Sequence, residues 1–437
     1  MQGSESLDLG VSTMKDFYGV KISTLWAELK GERASFWFIC AYLFLEYVRP
    51  QSIYTAIDVI PYAFVTIILT FTAYILEANR QNISNAENRL IVLFLLAILL
   101  SSVFAFTPAE SFKHLSLFLS WLVIYYLIIH IVNTEKRFFI FYLSFLLYSF
   151  KMSQHGFITW AQRGFAFTSW GVTGAPGWFQ NSGEFGIQLC IFLPLSIYFI
   201  IALRQYWGKM KLIFFLLFPF TAIASVIATS SRGALIGAVA ALIWMVIKSK
   251  KKTMAFVSVA IVLAIAYTFI PAKSYERLEA SGDDGTSVAR LTRWKAGIDM
   301  MNENPVFGVG YENWSTYYKS FYYIPDQASL LSHNIFIQAG AELGYTGLII
   351  YLIMILYSFV NNHRTRKRAL ATGNNFILYT AHGLDAALVG FLVSAFFVTV
   401  LYYPYFWINT ALVVALNNVA NKQFEQMPKA SVTLNAN

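Results

Sequence analysis

One histidine and a few arginines carry most of the chemistry open to this chain of 437 residues. His333 stands in Ser332-His333-Asn334, where a long polar stretch gives way to an apolar helix, with Ser332 available as its cap. The positive end of a helix disfavours imidazolium, so the ring stays neutral near pH 7 and can take a proton from a hydroxyl nucleophile. An interfacial histidine that only caps a helix and hydrogen-bonds a loop would use the same residues. Arg232 lies in Thr229-Ser230-Ser231-Arg232-Gly233-Ala234, between two apolar runs that leave almost no loop. That fixes a guanidinium at the edge of the apolar layer, where charge is expensive, although snorkelling to lipid headgroups also places arginines there. Arg290 and Arg293 stand one turn apart on a helix expected over 288–302, whose Leu291, Trp294, Ile298 and Met301 recur at helical spacing. Arg163 and Arg49 fall in other segments on the same side. Guanidinium groups that converge would hold an anion, phosphate above all, because the planar fork matches its oxygens two at a time. Taken singly, each arginine also suits a solvated face, and Arg49 has Glu46 three residues back on the same expected helix.

The acidic residues point less clearly. Asp283 and Asp284, between Gly282 and Gly285, suit a flexible turn better than a metal pair, and Glu184 and Glu342 lie in or near apolar spans and need partners. No spacing of His, Cys, Asp or Glu suggests zinc, and no phosphate loop, dinucleotide fingerprint or nucleophile elbow is present. The expectation is a site with neither metal nor cofactor. Cys40 and Cys190 both sit in apolar runs, as small hydrophobes rather than a disulfide.

These residues must be positioned by a membrane bundle. The chain is 57% hydrophobic and 13% charged, against roughly a quarter charged in soluble domains. Runs of ~20 apolar residues span a bilayer core, and in lipid such continuous runs must be helices. The spans read as 34–48, 59–76, 89–106, 115–132, 137–152, 184–203, 211–229, 233–247, 253–270, 334–358, 376–401 and 405–420. The fold class is an all-α polytopic membrane protein with about twelve transmembrane helices and one large outer loop that contains an amphipathic helix.

The formal charge of +9 does not indicate nucleic acid, because the positive residues gather at helix ends instead of on one face. Of the 32 Lys and Arg, 21 fall in alternate gaps that include the N-terminal tail, and six of the remainder lie in the one long loop. The positive-inside rule therefore puts both termini in the cytoplasm and the long loop outside. The divisions are a tail over 1–33, spans over 34–270 with an outer segment 151–183, the loop 271–333, spans over 334–420, and a tail over 421–437. Segment 151–183, rich in Gly, Trp, Phe and Ser, suits a re-entrant or surface-lying piece. The first 33 residues lack the apolar core of a removable signal peptide.

With these motifs in order, the chain resembles the O-antigen ligase and polymerase superfamily of bacterial inner-membrane glycosyltransferases. The resemblance covers most of the chain. It rests on Ser230-Ser231-Arg232-Gly233-Ala234, on Arg290-Leu291-Thr292-Arg293-Trp294 with Asn304-Pro305-Val306-Phe307-Gly308-Val309-Gly310, and on Ser332-His333-Asn334 leading into Gln338-Ala339-Gly340-Ala341-Glu342-Leu343-Gly344. Glu46-Tyr47-Val48-Arg49-Pro50-Gln51 also resembles a branch of O-glycosylation ligases encoded with exosortase systems. The resemblance implies transfer of a glycan from undecaprenyl diphosphate to an acceptor hydroxyl in the periplasm, without a metal. For a ligase the acceptor is the lipid A core oligosaccharide of lipopolysaccharide. On this reading His333 is the base, with inversion at the anomeric carbon. Arg232, Arg290, Arg163 and Arg293 face the diphosphate. A polymerase, which accepts another carrier-linked glycan, and a protein O-oligosaccharyltransferase share the same scaffold. A transporter or flippase would spread ionisable residues through mid-membrane depth and break helices in related halves. Here the ionisable residues gather at the outer edge and no repeat is visible. The reading requires His333 and the arginines to share one cavity open to the periplasmic leaflet.

Overall fold

The computed structural model describes residues 13–78, 80–168, 171–269, 285–322 and 331–427, and among these the regular structure is helical, with no strand. A backbone in lipid must satisfy its own polar groups, and a helix does so within one segment. Helices α1 (Met14–Tyr18), α2 (Ile22–Gly31), α3 (Ala34–Tyr47), α4 (Pro50–Ile53) and α5 (Tyr62–Ile75) open the chain. Then follow α6 (Ala86–Val103), α7 (Pro108–Ile131), α8 (Glu135–Gln162), α9 (Ser182–Leu203), α10 (Lys209–Ala228), α11 (Arg232–Lys248) and α12 (Lys252–Phe269). The remainder comprises α13 (Gly285–Glu303), α14 (Trp314–Phe321), α15 (Ile335–Thr372), α16 (Asn375–Ala395) and α17 (Pro404–Glu425).

Each of the twelve apolar stretches coincides with a helix, and six of these, α6, α7, α9, α10, α15 and α16, are long and apolar enough to cross a bilayer. Helices α3 and α5 have 14 residues each, short of the ~20 that a bilayer core asks for. Buried helices lie at the centre: α17 is buried without interruption from Pro404 to Ala420, and α9 over nearly all its length. The outer helices expose apolar side chains such as Phe64, Leu93 and Phe220. In water such a surface would demand a partner; for a span, lipid is that partner.

Four boundaries differ from the sequence reading. Helix α8 runs 28 residues, to Gln162, so the first third of the outer segment 151–183 is continuous helix. Helix α15 runs 38 residues, past 358 to Thr372, because its basic Arg364–Arg368 stretch contains no helix breaker. Helix α16 ends at Ala395 instead of near 401: Val398-Thr399-Val400 is β-branched, and Tyr403 precedes Pro404, which starts α17 at its first turn. Helix α3 ends at Tyr47, and Arg49 adopts a left-handed backbone (φ 51°, ψ 55°). Arg49 is therefore not on the helix of Glu46, because Pro50 disfavours the α conformation in the residue before it. The Gly282–Gly285 turn lies largely outside the described residues.

The connections segregate to two ends. At one end Lys136 pairs with Glu28 (3.0 Å), Arg137 with Glu32 (2.6 Å) and Arg33 with Glu77 (2.9 Å), while the Trp207 indole donates to the Tyr18 carbonyl (2.7 Å). At the other, Phe106 N–H donates to the Val309 carbonyl (2.9 Å), Val172 N–H to the Ala228 carbonyl (3.0 Å) and the Tyr403 hydroxyl to Glu184 Oε1 (3.1 Å). Alternate gaps thus meet one another, as they must if the chain reverses at every helix.

Candidate active site

The hairpin that carries Arg232 is built from its three preceding residues. Thr229 ends α10, Ser230 takes a left-handed turn (φ 52°), and Ser231 caps α11, its hydroxyl accepting from Ala234 N–H at 3.3 Å. Arg232 is then the first residue of α11, the positive end of that helix, where a cation weakens the helix instead of supporting it. Its placement therefore calls for a reason other than helix stability. Helix α11 lies close on α16: a Cβ at Gly237 would stand 2.8 Å from the Gly390 carbonyl oxygen, the close approach that small residues permit in membranes.

The motif Asn304–Gly310 and the motif Gln338–Gly344 are two halves of one clasp. Helix α15 breaks at Gly344 (φ 68°, ψ −174°). The break frees carbonyls, and Val309 and Gly310 donate to those of Ala341 (2.8 Å) and Glu342 (3.1 Å), while Tyr345 N–H donates to Pro305 (2.8 Å). The Ser101 hydroxyl also donates to the Glu342 carbonyl, at 2.7 Å. Glu342 finds the partners it needs: Oε1 accepts from Trp314 N–H (3.4 Å) and Oε2 from Gln338 (3.3 Å). Gln338 in turn accepts from Leu401 N–H at 3.3 Å. Glu184, for its part, completes the cap of α9 with Asn181 and accepts from Tyr403.

This clasp seats α13 across that end of the bundle. Its buried face is Arg293, Ala296, Gly297 and Met300, while Val288, Leu291 and Ile298 are exposed. The apolar stripe that foretold the helix is divided, with Leu291 and Ile298 outward, Trp294 half-buried and Met301 buried, and the inward face also carries Arg293, only 6% exposed. From there Arg293 Nη1 donates to the Leu331 carbonyl (3.3 Å) and the Trp294 indole to the Ser332 carbonyl (3.0 Å). Asn334, not Ser332, caps α15, accepting from Phe336 N–H (2.8 Å) and Ile337 N–H (3.1 Å). The amide side chain reaches both donors from the cap position, whereas Ser332 hydrogen-bonds the Asn334 carbonyl and Thr399.

His333 sits one residue before that cap with φ 49°, a left-handed conformation rare outside glycine. Its N–H donates to Thr399 Oγ1 at 2.8 Å. Burial first, and then the charges of Arg290 and Arg293, push its pKa down to about 4. The imidazole is therefore neutral at physiological pH, for a stronger reason than the helix end alone.

A single turn supports all of these parts. Trp294 packs on Phe396 with ring centroids 5.2 Å apart, Gly233 lies against Phe397, and His333 hangs on Thr399. Residues 396, 397 and 399 lie within about 11 Å of one another, three steps of ~3.8 Å. Arg163 donates to the Gly171 carbonyl at 3.5 Å, and the next residue, Val172, is bonded to the end of α10, so Arg163 approaches the Arg232 hairpin from its flank. Arg49 donates from Nε to Ser52 Oγ at 3.3 Å, and its guanidinium lies against Gly177. Of six described non-glycine residues with positive φ, five (Arg49, Phe165, Ser230, Glu312 and His333) belong to this end, and such strain persists chiefly where function requires it. Thr399 carried no signal in the sequence beyond the Tyr403-Pro404 step, which could have ended α16 sooner. Among the described residues, no three His, Cys, Asp or Glu side chains gather as a metal would need.

Fold and site define a multi-pass helical membrane protein with a cationic, histidine-bearing site at one end. Residues 217–352 match the family described as O-Antigen ligase, a stretch that holds Arg232, Arg290, Arg293, His333 and the clasp. Through that stretch the chain is similar to the O-antigen ligase family. Residues 14–200, which include Arg163, match a family of unknown function, DUF5935. A further relative, the exopolysaccharide production protein ExoQ of Rhizobium meliloti (strain 1021), is 33% identical over 89 residues, 19% of this chain and 20% of that protein. The match thus spans about a fifth of the relative's length.

Proposed function

We propose that this chain transfers a glycan from undecaprenyl diphosphate to a hydroxyl of the lipid A core oligosaccharide, at the periplasmic face of the bacterial inner membrane. The observation that carries the reading is His333, held neutral beside Arg290 and Arg293 on the turn that also supports Arg232, inside the stretch that matches the ligase family. His333 takes the proton of the acceptor hydroxyl as its oxygen attacks the anomeric carbon with inversion. The bond from that carbon to the diphosphate breaks, and undecaprenyl diphosphate leaves. Arg232, Arg290 and Arg163 grip the diphosphate. Arg293, buried behind them, fixes the His333 segment and adds positive charge. General-base catalysis supplies typically 10²–10⁴-fold, and one preorganised cationic contact roughly 3–4 kcal/mol. The diphosphate itself offsets the two arginine charges, so the base strengthens as the donor binds. This reading takes all twelve helices to cross, with both termini cytoplasmic and residues 271–333 in the periplasm. It is supported by the gathering of alternate gaps at opposite ends.

A second reading has a specific support. The relative's name, exopolysaccharide production protein, favours a carrier-linked or growing glycan as acceptor, the reaction of a polymerase. Purified chain in proteoliposomes, given a labelled lipid-linked donor and lipid A core, glycan or protein acceptors side by side, separates these. His333→Ala is expected to abolish transfer in every arm while the protein keeps its elution profile and helical content. Normal transfer by that variant removes His333 from the mechanism, and donor movement across the vesicle without transfer favours a transporter.

A further inference from the structure

The turn that carries His333 continues into aromatic residues that the proposed mechanism leaves unused. Tyr403 follows Thr399 by four residues, so the two lie within about 15 Å, four steps of ~3.8 Å. The Tyr403 hydroxyl donates to Glu184 Oε1 at 3.1 Å, and its ring meets that of Trp178 with centroids 4.8 Å apart and planes at 68°. Buried groups hold this pair from below. The Tyr405 hydroxyl reaches the carbonyls of Trp178 (2.6 Å) and Glu184 (2.9 Å). Trp121 packs on Trp178 at 5.5 Å and donates its indole N–H to the Tyr402 carbonyl (2.9 Å). Trp121 and Tyr405 are buried, whereas Trp178 and Tyr403 are half-buried, so the upper rings keep open surface on a fixed support.

Aromatic residues also gather at membrane interfaces, where they face headgroups. This pair does not stand at the rim: Glu184 and Tyr403 sit at the ends of α9 and α17, the helices buried at the centre of the bundle. Glu312 completes the setting, half-buried and left-handed (φ 56°). Burial, and then the charges of Glu184 and Glu312, hold the Tyr403 hydroxyl above its ordinary range, so it stays a donor. Burial likewise raises the Glu312 carboxyl, against the charge of His114. Arg49, whose guanidinium lies against Gly177, shares its surroundings with Glu46. The patch adjoins the Arg232 hairpin, since a Cβ at Gly183 would stand 3.3 Å from the Val398 side chain and 3.9 Å from the Ser231 hydroxyl oxygen. Along the turn, residues 396 and 397 therefore meet the arginine-bearing helices α13 and α11, residue 399 holds His333, and residue 403 meets an aromatic and acidic patch. A diphosphate beside Glu184 and Glu312 would be repelled. A sugar ring suits them: its C–H face packs on an indole or phenol, and its hydroxyls donate to carboxyl oxygens. An anionic sugar does not, because burial already makes Glu312 costly to ionise and a further anion adds to that cost.

We propose that Trp178, Tyr403, Glu184 and Glu312 form a specificity subsite that seats the terminal sugar of the acceptor, selects an uncharged one, and presents its hydroxyl to His333 from the end of the turn away from the arginines. The subsite rests on the glycan-transfer reading for its role, not for its affinity for sugar. Binding is therefore measured without donor, by saturation-transfer NMR on the full chain in nanodiscs, with neutral hexose trisaccharides and their counterparts ending in a uronate. Transfer from a labelled lipid-linked donor to the same sugars is measured separately. Neutral sugars are expected to bind at least tenfold more tightly than uronates. Trp178→Ala should weaken neutral binding roughly tenfold, and Glu312→Gln should narrow the neutral-to-uronate ratio about fivefold, with KM for the donor unchanged in both. Melting temperature and helical content report folding, and the isosteric Glu312→Gln decides the matter if Trp178→Ala does not fold. Uronates bound as tightly as neutral sugars, neutral binding equal in the parent and a folded Trp178→Ala, or an unchanged ratio in Glu312→Gln each overturn the subsite. Binding as expected with no transfer in any arm refutes the transfer reading instead and leaves the sugar subsite standing.

Discussion

The backbone N–H of His333 donates to a hydroxyl 66 positions away, Thr399, so the height of the imidazole depends on a residue outside the chemistry. Thr399→Val leaves that donor without its partner, which costs about 1–3 kcal/mol. We expect kcat to fall about tenfold or more, with KM for the donor little changed and Thr399→Ser restoring the rate; steady-state kinetics check this. The arginines next to His333 act on its proton affinity. With the free ring at about 4, the base is deprotonated above that pH, so kcat/KM should stay level from neutral pH to about 5 and fall near 4. Removing a neighbouring positive charge raises the pKa toward the ordinary imidazole value. Arg290→Gln should therefore shift the acid limb of kcat/KM upward. The limb in kcat should also lie above that in kcat/KM, because bound diphosphate offsets the same charges. A profile whose limb stays put in Arg290→Gln separates Arg290 from His333.

Among elements, the clasp between Asn304–Gly310 and the broken helix α15 has the clearest energetic signature. Gly344 has φ 68°, and a Cβ there would meet the Pro305 carbonyl oxygen at 2.7 Å, whereas Gly373 has the same φ with open space around it. Gly344→Ala should cost on the order of 2–4 kcal/mol and lower the melting temperature in detergent. Gly373→Ala carries only the backbone penalty, about 1 kcal/mol. Equal shifts in the two variants would show that the clasp does not hold the helix. The sequence displayed both halves of this device, Gly308-Val309-Gly310 and Glu342-Leu343-Gly344, but not that one satisfies the other. The bonds join backbone groups some thirty positions apart, and no local pattern records such a pairing. The outward-facing Leu291 and Ile298 teach the same lesson, since periodicity finds a helix without saying whether its apolar side meets protein or lipid.

For the whole molecule, the question is how many helices cross. Six meet the length and hydropathy of a span, and the gathering of alternate gaps at two ends supports twelve crossings. With Cys40 and Cys190 replaced by serine, a thiol at Ser320 should react with a membrane-impermeant maleimide added to intact spheroplasts, and one at Thr372 only after permeabilisation. Labelling of Thr372→Cys from outside would invert or break the proposed topology.

The sequence by itself placed an apolar helix at each of the twelve expected stretches, though not the ends of α3, α8, α15 and α16, because apolar run length and Lys/Arg placement act over a few turns. It also placed the neutral histidine at a helix start. Tertiary structure alone decided that Arg293 turns inward beneath the His333 segment and that Thr399 leaves its helix to become a support. Each of these is fixed by contacts between distant segments, where packing in a crowded interior overrides local preference.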